Sequence, residues 1–239
     1  MLASQARRYR AERCVGVVIP TRNGELYLAE ALESVLRQTH RPLEVVVADD
    51  GSTDATLELA QRYAPAVRVL ALPHRGLGAT RNAGVEALSG DFVAFLDQDD
   101  VWSQRKLELQ LAAFDAPSPP ELVFGHVREF ISPELEPQLA GHIRCVSEPR
   151  PAALPGTMLA TRAALVRVGP FSTRWVSNDF MAWLLAAGRL GLRERVLTEH
   201  VLSRRLHLSN YSRLTASVRS EYLHVIKESL DLRRRSATA

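Results

Sequence analysis

Cysteine is scarce in this 239-residue chain: the two present, Cys14 and Cys145, lie far apart, and neither has a second cysteine at metal-ligand spacing. That excludes a disulfide framework and a thiolate metal site, and reads as reduced thiols in a cytoplasmic protein. Excess charge is scarce too, with 30 basic against 27 acidic residues and a formal net charge of +3. Basic residues bunch only at Arg7, Arg8, Arg10 and Arg13 and again at Arg233, Arg234 and Arg235. Both clusters read as solvated ends with at most weak attraction to anionic lipid, and nothing calls for a nucleic-acid partner. Long apolar runs are missing. No stretch approaches the ~20 residues that span a bilayer, and residues 1–13 alternate small and basic side chains without the apolar core of a secretory signal.

What is present is ordinary globular composition, 46% apolar and 24% charged, on a length that suits one large α/β domain with an elaborated C-terminal part. From Cys14 to Trp102 a short apolar run, a polar turn and an amphipathic stretch repeat in turn. The β-branched run 15–19 stops at Pro20; Leu28, Leu32, Val35 and Leu36 share a helical face; residues 43–48 form a second run ending in Asp49 and Asp50. The cycle continues with a helix through Leu57, Leu59, Ala60 and Tyr63, a strand over 67–72, a helix over 79–88 and a strand over 91–96. Such alternation predicts a parallel sheet covered by helices on both faces, with ligands bound at the carboxyl ends of its strands.

Beyond Trp102, Leu107, Leu111 and Phe114 mark a helix that Pro117, Ser118, Pro119 and Pro120 must break. Residues 122–130 read as a strand and the proline-rich stretch 131–155 as a long loop. A helix over 179–190, strand and turn over 192–206, and a final amphipathic helix marked by Val218, Tyr222, Val225, Ile226 and Leu230 complete the chain.

Polar residues collect at the predicted ligand edge. Asp97, Asp99 and Asp100 follow an apolar strand, with Gln98 between them. Crowded carboxylates raise one another's pKa unless a cation compensates, and hard oxygen ligands suit Mg²⁺ or Mn²⁺. A helix cap by Asp99 or Ser103 accounts for one acid, not three. In Asp49-Asp50-Gly51-Ser52-Thr53-Asp54, Gly51 allows a tight turn and Ser52 a cap, leaving Asp50 to accept a hydrogen bond from a base or ribose. Around the helix start 74–84, Arg75 and Arg81 would lie near the edge where a diphosphate needs positive charge.

These residues resemble the inverting family 2 glycosyltransferases of the GT-A fold. The resemblance rests on Val-Val-Ile-Pro-Thr-Arg-Asn from Val17, Gln-Thr at Gln38, Asp-Asp-Gly-Ser-Thr-Asp from Asp49, Arg-Asn-Ala-Gly from Arg81, and Gly-Asp-Phe-Val-Ala-Phe-Leu-Asp-Gln-Asp-Asp from Gly90. It is strong over about the first 115 residues. A thinner likeness continues through Gly169-Pro170-Phe171, Asn178-Asp179 and Arg205-Leu206-His207-Leu208-Ser209-Asn210.

The resemblance implies a Rossmann-like, mostly parallel sheet in one GT-A domain, with a nucleotide-sugar-binding half over 14–115, an acceptor-side half over 116–215, and a C-terminal helix and tail over 216–239. It implies a nucleotide diphosphate sugar donor held by Pro20, Thr21, Arg22, Asn23 and Asp50, with Arg75 and Arg81 nearby, and a hydroxyl-bearing acceptor. Asp97, Gln98 and Asp99 would form the DXD motif for ribose and metal; because the motif aligns in more than one register, Asp97, Asp99 and Asp100 are all candidate ligands of Mg²⁺ or Mn²⁺, joined by His207, for which a satisfied structural histidine is the alternative. Asp179 would be the acid that deprotonates the acceptor, with capping of the helix it opens as the alternative. Family members often carry Glu-Asp where this chain has Asn178-Asp179, so the first carboxylate is missing. Two other readings stay open, a nucleotidyltransferase on a similar sheet and a catalytically silent nucleotide-sugar-binding protein.

Overall fold

A computed structural model describes residues 13–41, 43–136, 138, 141, 143–208 and 216–237. The expectations placed on Arg7, Arg8, Arg10, Ser209 and Asn210 lie outside these residues, and those on the side chains of Val218, Arg233 and Arg235 lie outside what is described. Strand β1 (Val15–Thr21) is buried throughout, as its β-branched run requires of a strand covered on both faces. It pairs in parallel with β2 (Leu43–Asp50) and with β4 (Phe92–Phe95), and β2 pairs in parallel with β3 (Arg68–Leu72). The crossovers are α1 (Leu28–Leu36), α2 (Thr56–Gln61) and α3 (Leu77–Glu86), where the apolar periodicity puts them.

The second half of the sheet is largely antiparallel. Here β5 (Val101–Trp102) is followed by α4 (Lys106–Ala113), β6 (Leu122–Ile131), β7 (Arg150–Ala152), β8 (Leu159–Thr161), α5 (Arg162–Val168), α6 (Asp179–Arg189), β9 (Glu194–Leu206) and α7 (Ala216–Ala237). Among the described residues the strands form one nine-stranded sheet, β3-β2-β1-β4-β8-β6-β9-β5, with β7 added on β6. Strands β8 and β7 run antiparallel to β6, whereas β9 runs parallel to it with register shifts around His126.

The stretch 131–155 differs from the loop expected of it, since Arg150–Ala152 closes onto β6. Pro151 is tolerated there because β7 is an outlying strand with one partner, where a missing donor costs no second ladder bond. Strands of two or three residues, β5, β7 and β8, are too short to show a period in the sequence.

Two apolar layers sandwich the sheet. Val15, Val17 and Ile19 pack with Leu28 and Leu32 of α1, Ala60 of α2, and Leu107 and Leu111 of α4. Val18, Val93 and Phe95 point the other way, onto Ala164 and Leu165 of α5 and Phe180 and Trp183 of α6. The period-2 alternation of β1 thus fixes α6, and Asp179 at its start, on the face opposite α1. Among the described residues no helix is long and apolar enough to cross a membrane.

Candidate active site

In the parallel ladder Thr21 pairs with Asp49 and Val18 with Phe95, so the loops after β1, β2 and β4 leave the sheet side by side. Gln98 joins two of them. Its Oε1 accepts from the Thr21 hydroxyl and from the Arg22 backbone N–H at 2.8 Å, and its Nε2 donates to the Arg22 carbonyl at 3.1 Å. Asn23 joins the third. It adopts φ +49°, a left-handed conformation that asparagine tolerates, its N–H donates to Ser52 Oγ, and its Oδ1 accepts from Thr53 N, both at 2.9 Å. Pro20 and Thr21 are buried in this junction, and the Arg22 side chain is exposed beside it.

Asp49 binds the Ser52 N–H and hydroxyl, so Ser52 closes the turn rather than capping α2; Asp54 Oδ1 accepts from Thr56 N at that helix start. Asp50 reaches the next loop. Its carboxylate accepts from Arg75 N at 2.8 Å, from Gly76 N at 3.1 Å and from His74 Nδ1 at 2.7 Å. Gly76, at φ +88°, supplies the left-handed turn that aims these N–H groups back at Asp50. Burial opposes ionisation, yet the Arg75 and His74 bonds hold the Asp50 carboxyl below the usual range. Arg75 keeps its side chain exposed at this edge.

Asp97, Asp99 and Asp100 separate into three environments. Asp100 is buried and accepts from Arg205 N at 2.9 Å; desolvation, reinforced by the charges of Asp99 and Asp97, pushes its carboxyl well above the usual range. Asp97 remains partly open, 39% exposed, and takes Arg81 Nη2 at 3.2 Å; desolvation raises its carboxyl against the pull of Arg81. Asp99 Oδ2 lies 2.9 Å from His207 Nε2. Neither Asp99 nor Ser103 caps the following helix, whose N-cap is Arg105 with no side-chain bond.

Arg81 is placed differently from a guanidinium offered to a diphosphate. It is buried, with Nη1 2.6 Å from Asp179 Oδ2 and Nη2 on Asp97, so two carboxylates already engage its charge. This arrangement needs α3 close against the segment before α6: a Cβ on Gly78 would lie 2.3 Å from the Ser172 carbonyl oxygen. Asp179 is wholly buried, and its Oδ1 has no hydrogen-bond partner. Capping does not account for it, because Asn178 holds the N-cap position and Asp179 turns its carboxylate to Arg81. One arginine therefore links the acid loop after β4 to the acid that opens α6.

Three participants carry no legible role in the sequence. Arg205 donates from its N–H to Asp100, from Nε to the Asp99 carbonyl at 3.0 Å and from Nη2 to Glu30, while its guanidinium stacks between Tyr27 and Phe130, 4.8 and 4.7 Å from their centroids. The Tyr27 ring lies 4.7 Å from that of His207, and Tyr27 donates to Glu134. His74 was visible only as a neighbour of Arg75. Arg205 stands two residues before His207 in a stretch already noted, which is the one signal that could have found it.

Among the described residues no three His, Cys, Asp or Glu side chains form a ready cage for an ion. The donor set suits a shared ion instead. Asp99 and His207 converge within 2.9 Å, and Mg²⁺ or Mn²⁺ usually takes one or two protein ligands with substrate phosphates and water filling the rest. The residues present fit a cation held jointly with a phosphate-bearing ligand.

A curled, mostly parallel sheet flanked by helices, with its polar loops at one edge, is the architecture of the GT-A fold, and solved structures agree. Staphylococcus aureus TarS in complex with UDP-GlcNAc superposes with a TM-score of 0.69 at 20% identity, covering 88% of this chain and 65% of that one. The mannosyltransferase PcManGT of Pyrobaculum calidifontis, in complex with GDP-Man and Mn²⁺, gives 0.69 at 19% identity over 92% of this chain and 64% of that one. The family profile described as glycosyl transferase family 2 matches residues 16–174, and the chain belongs to that family. An uncharacterised glycosyltransferase of Nostoc is 40% identical over 104 residues, 42% of this chain and 32% of the relative. Glycosyltransferase GlyA of Streptococcus pneumoniae is 36% identical over 97 residues, 39% of this chain and 14% of the relative. The chain thus spans a third or less of the length of these curated relatives.

Proposed function

We propose that this chain is an inverting glycosyltransferase that moves a sugar from a nucleotide diphosphate donor to an acceptor hydroxyl, with Asp179 as general base and a divalent cation at Asp99 and His207. The observation that carries the reading is the Asp97–Arg81–Asp179 bridge, which holds a candidate base, one oxygen without a partner, beside the acid loop. The donor half is 14–115 and the acceptor half 116–215, within one domain continued by 216–239; Cys14 and Cys145 are not bridged to each other, in keeping with a cytoplasmic setting.

In this mechanism the β1 junction of Pro20, Thr21, Arg22 and Asn23, locked by Gln98, forms one wall of the donor site, and the Asp50-ordered loop with Arg75 forms another. The acceptor hydroxyl donates to Asp179 Oδ1; as its oxygen attacks the anomeric carbon, the proton passes to the carboxylate and the nucleoside diphosphate departs from the opposite face. Because Asp179 is wholly buried, the packing around it must open for that hydroxyl to reach it. The cation, when bound, supplies charge neutralisation for the departing diphosphate. Arg81, with Nη1 on Asp179 Oδ2, holds the carboxylate so that Oδ1 is the oxygen left to take the proton.

Thermal melts against a panel of nucleoside diphosphate sugars, with Mn²⁺ and with chelator, test the reading. At least one donor is expected to raise the melting midpoint in the presence of metal, since a ligand bound only to the folded state stabilises it by mass action. No shift with any donor, together with pyrophosphate release from a nucleoside triphosphate and a sugar phosphate, would instead establish a nucleotidyltransferase.

Asp50→Ala is expected to weaken donor binding more than it slows saturated turnover. It removes the acceptor for Arg75 N, Gly76 N and His74, which order one wall of the site. The loss is expected at about 1–2 kcal/mol, a factor of about 5 to 30 in Kd by calorimetry; an unchanged Kd rejects the assignment. The depressed Asp50 pKa fixes the sign with pH: its stabilisation is present above the unfolded carboxylate pKa and is lost as pH falls through the lower folded value.

A further inference from the structure

We infer that Glu221, on α7, is a positioning residue for Asp179, an inference that rests on the general-base role proposed above. The carboxylate of Glu221 gathers the three residues that immediately precede the base. Glu221 Oε1 accepts from Val176 N; Oε2 accepts from Ser177 N at 3.1 Å, Ser177 Oγ at 2.9 Å and Asn178 Nδ2 at 2.8 Å. Asn178 holds the N-cap position of α6 but makes no side-chain bond into the helix, its amide being turned to Glu221. The start of α6 is therefore held from outside, by a side chain more than 40 residues further along the chain.

The consequence concerns aim more than stability. The Asp179 side chain is tied to Arg81, and the backbone leading into it is bound at Val176 and Ser177 by the one carboxylate of Glu221. Desolvation opposes the charge of Glu221, but the Val176, Asn178 and Ser177 donors hold it below the usual carboxylate range, so it is ionised at neutral pH. Meanwhile α7 is docked at other points: Val225 is buried, Arg174 pairs with Glu228 at 3.2 Å, and Arg189 Nη1 donates to Ser229 Oγ at 2.8 Å. Removing Glu221 thus releases the 176–178 segment while the helix stays in place. The acid missing beside Asp179 in sequence is matched in space by one from the C-terminal helix.

Glu221→Ala and Glu221→Gln, compared with the natural protein, test this through amide hydrogen exchange at Val176 and Ser177, donor Kd by calorimetry with Mn²⁺, the melting midpoint and kcat. In the alanine variant both amides are expected to exchange faster. Its kcat is expected to fall about tenfold or more with donor Kd within about twofold, since misplacing a reacting group by about 1 Å costs up to about a hundredfold. The glutamine variant keeps an acceptor oxygen at the same reach and is expected to recover part of kcat; it also decides the matter should the alanine variant fold poorly. Faster exchange with unchanged kcat overturns the positioning role, as does an equal loss of donor binding and turnover, which marks a merely structural residue. A natural protein that binds no nucleotide sugar and transfers none overturns the general-base reading and the role of Glu221 with it, whereas failure of the positioning role alone leaves the natural protein active.

Discussion

Asp179→Asn is expected to leave metal-dependent donor binding near normal and to cut turnover on the order of a hundredfold or more. Asparagine fills the same volume and still offers an oxygen to Arg81 Nη1, so the contact at 2.6 Å has a successor. The guanidinium keeps Asp97 as a charged partner, and no buried cation is stranded. What asparagine lacks is the ability to take a proton at the position of Oδ1. Asp179→Ala is a harsher change, because it leaves a cavity and halves the compensation of a buried arginine, and it should lower the melting midpoint as well. Turnover by the asparagine variant within about threefold of the natural enzyme would remove Asp179 from the proton transfer, given the usual contribution of general bases.

The donor-side architecture was legible because its determinants are local. Val15, Val17 and Ile19 on one face and Val18 on the other announce a strand buried on both sides, and the turns after β1, β2 and β4 carry their polar residues at the strand ends. The crowding of Asp97, Asp99 and Asp100 was likewise readable as an electrostatic problem. How the problem is divided was not. Arg81 meets Asp179 across 98 positions and Arg205 meets Glu30 across 175, and no periodicity encodes such pairings. Arg81 read as a phosphate cation because it sits in the first turns of a helix at the ligand edge; tertiary packing against α6 turned it inward. The short strands β5, β7 and β8 escaped for a different reason, since two or three residues carry no pattern and their pairing is decided by β6 and β9.

Asp99→Ala is expected to lower turnover on the order of a hundredfold to a thousandfold and to abolish the metal dependence of donor binding, without unfolding the protein. The division of the three acids motivates it. Arg81 engages Asp97, the Arg205 N–H engages Asp100 in a buried setting that favours the neutral acid, and Asp99 is the one that faces His207. A cation drawn to this loop finds its carboxylate and its imidazole in that pair. In the absence of metal Asp99 is also a like charge that helps drive the Asp100 carboxyl upward. Removing it relieves that repulsion but also removes the contact with His207, so the melting midpoint of the metal-free variant is expected to fall less than an ordinary loss of side-chain contacts would lower it. Calorimetric titration of a bound donor with Mn²⁺ and then with chelator reads the first effect, and thermal melts in chelator read the second. Equal donor affinity of the natural protein under both conditions would reject the metal role outright. A variant that still responds to Mn²⁺ would transfer that role to Asp97, whose carboxylate would then have to leave Arg81 to reach the ion.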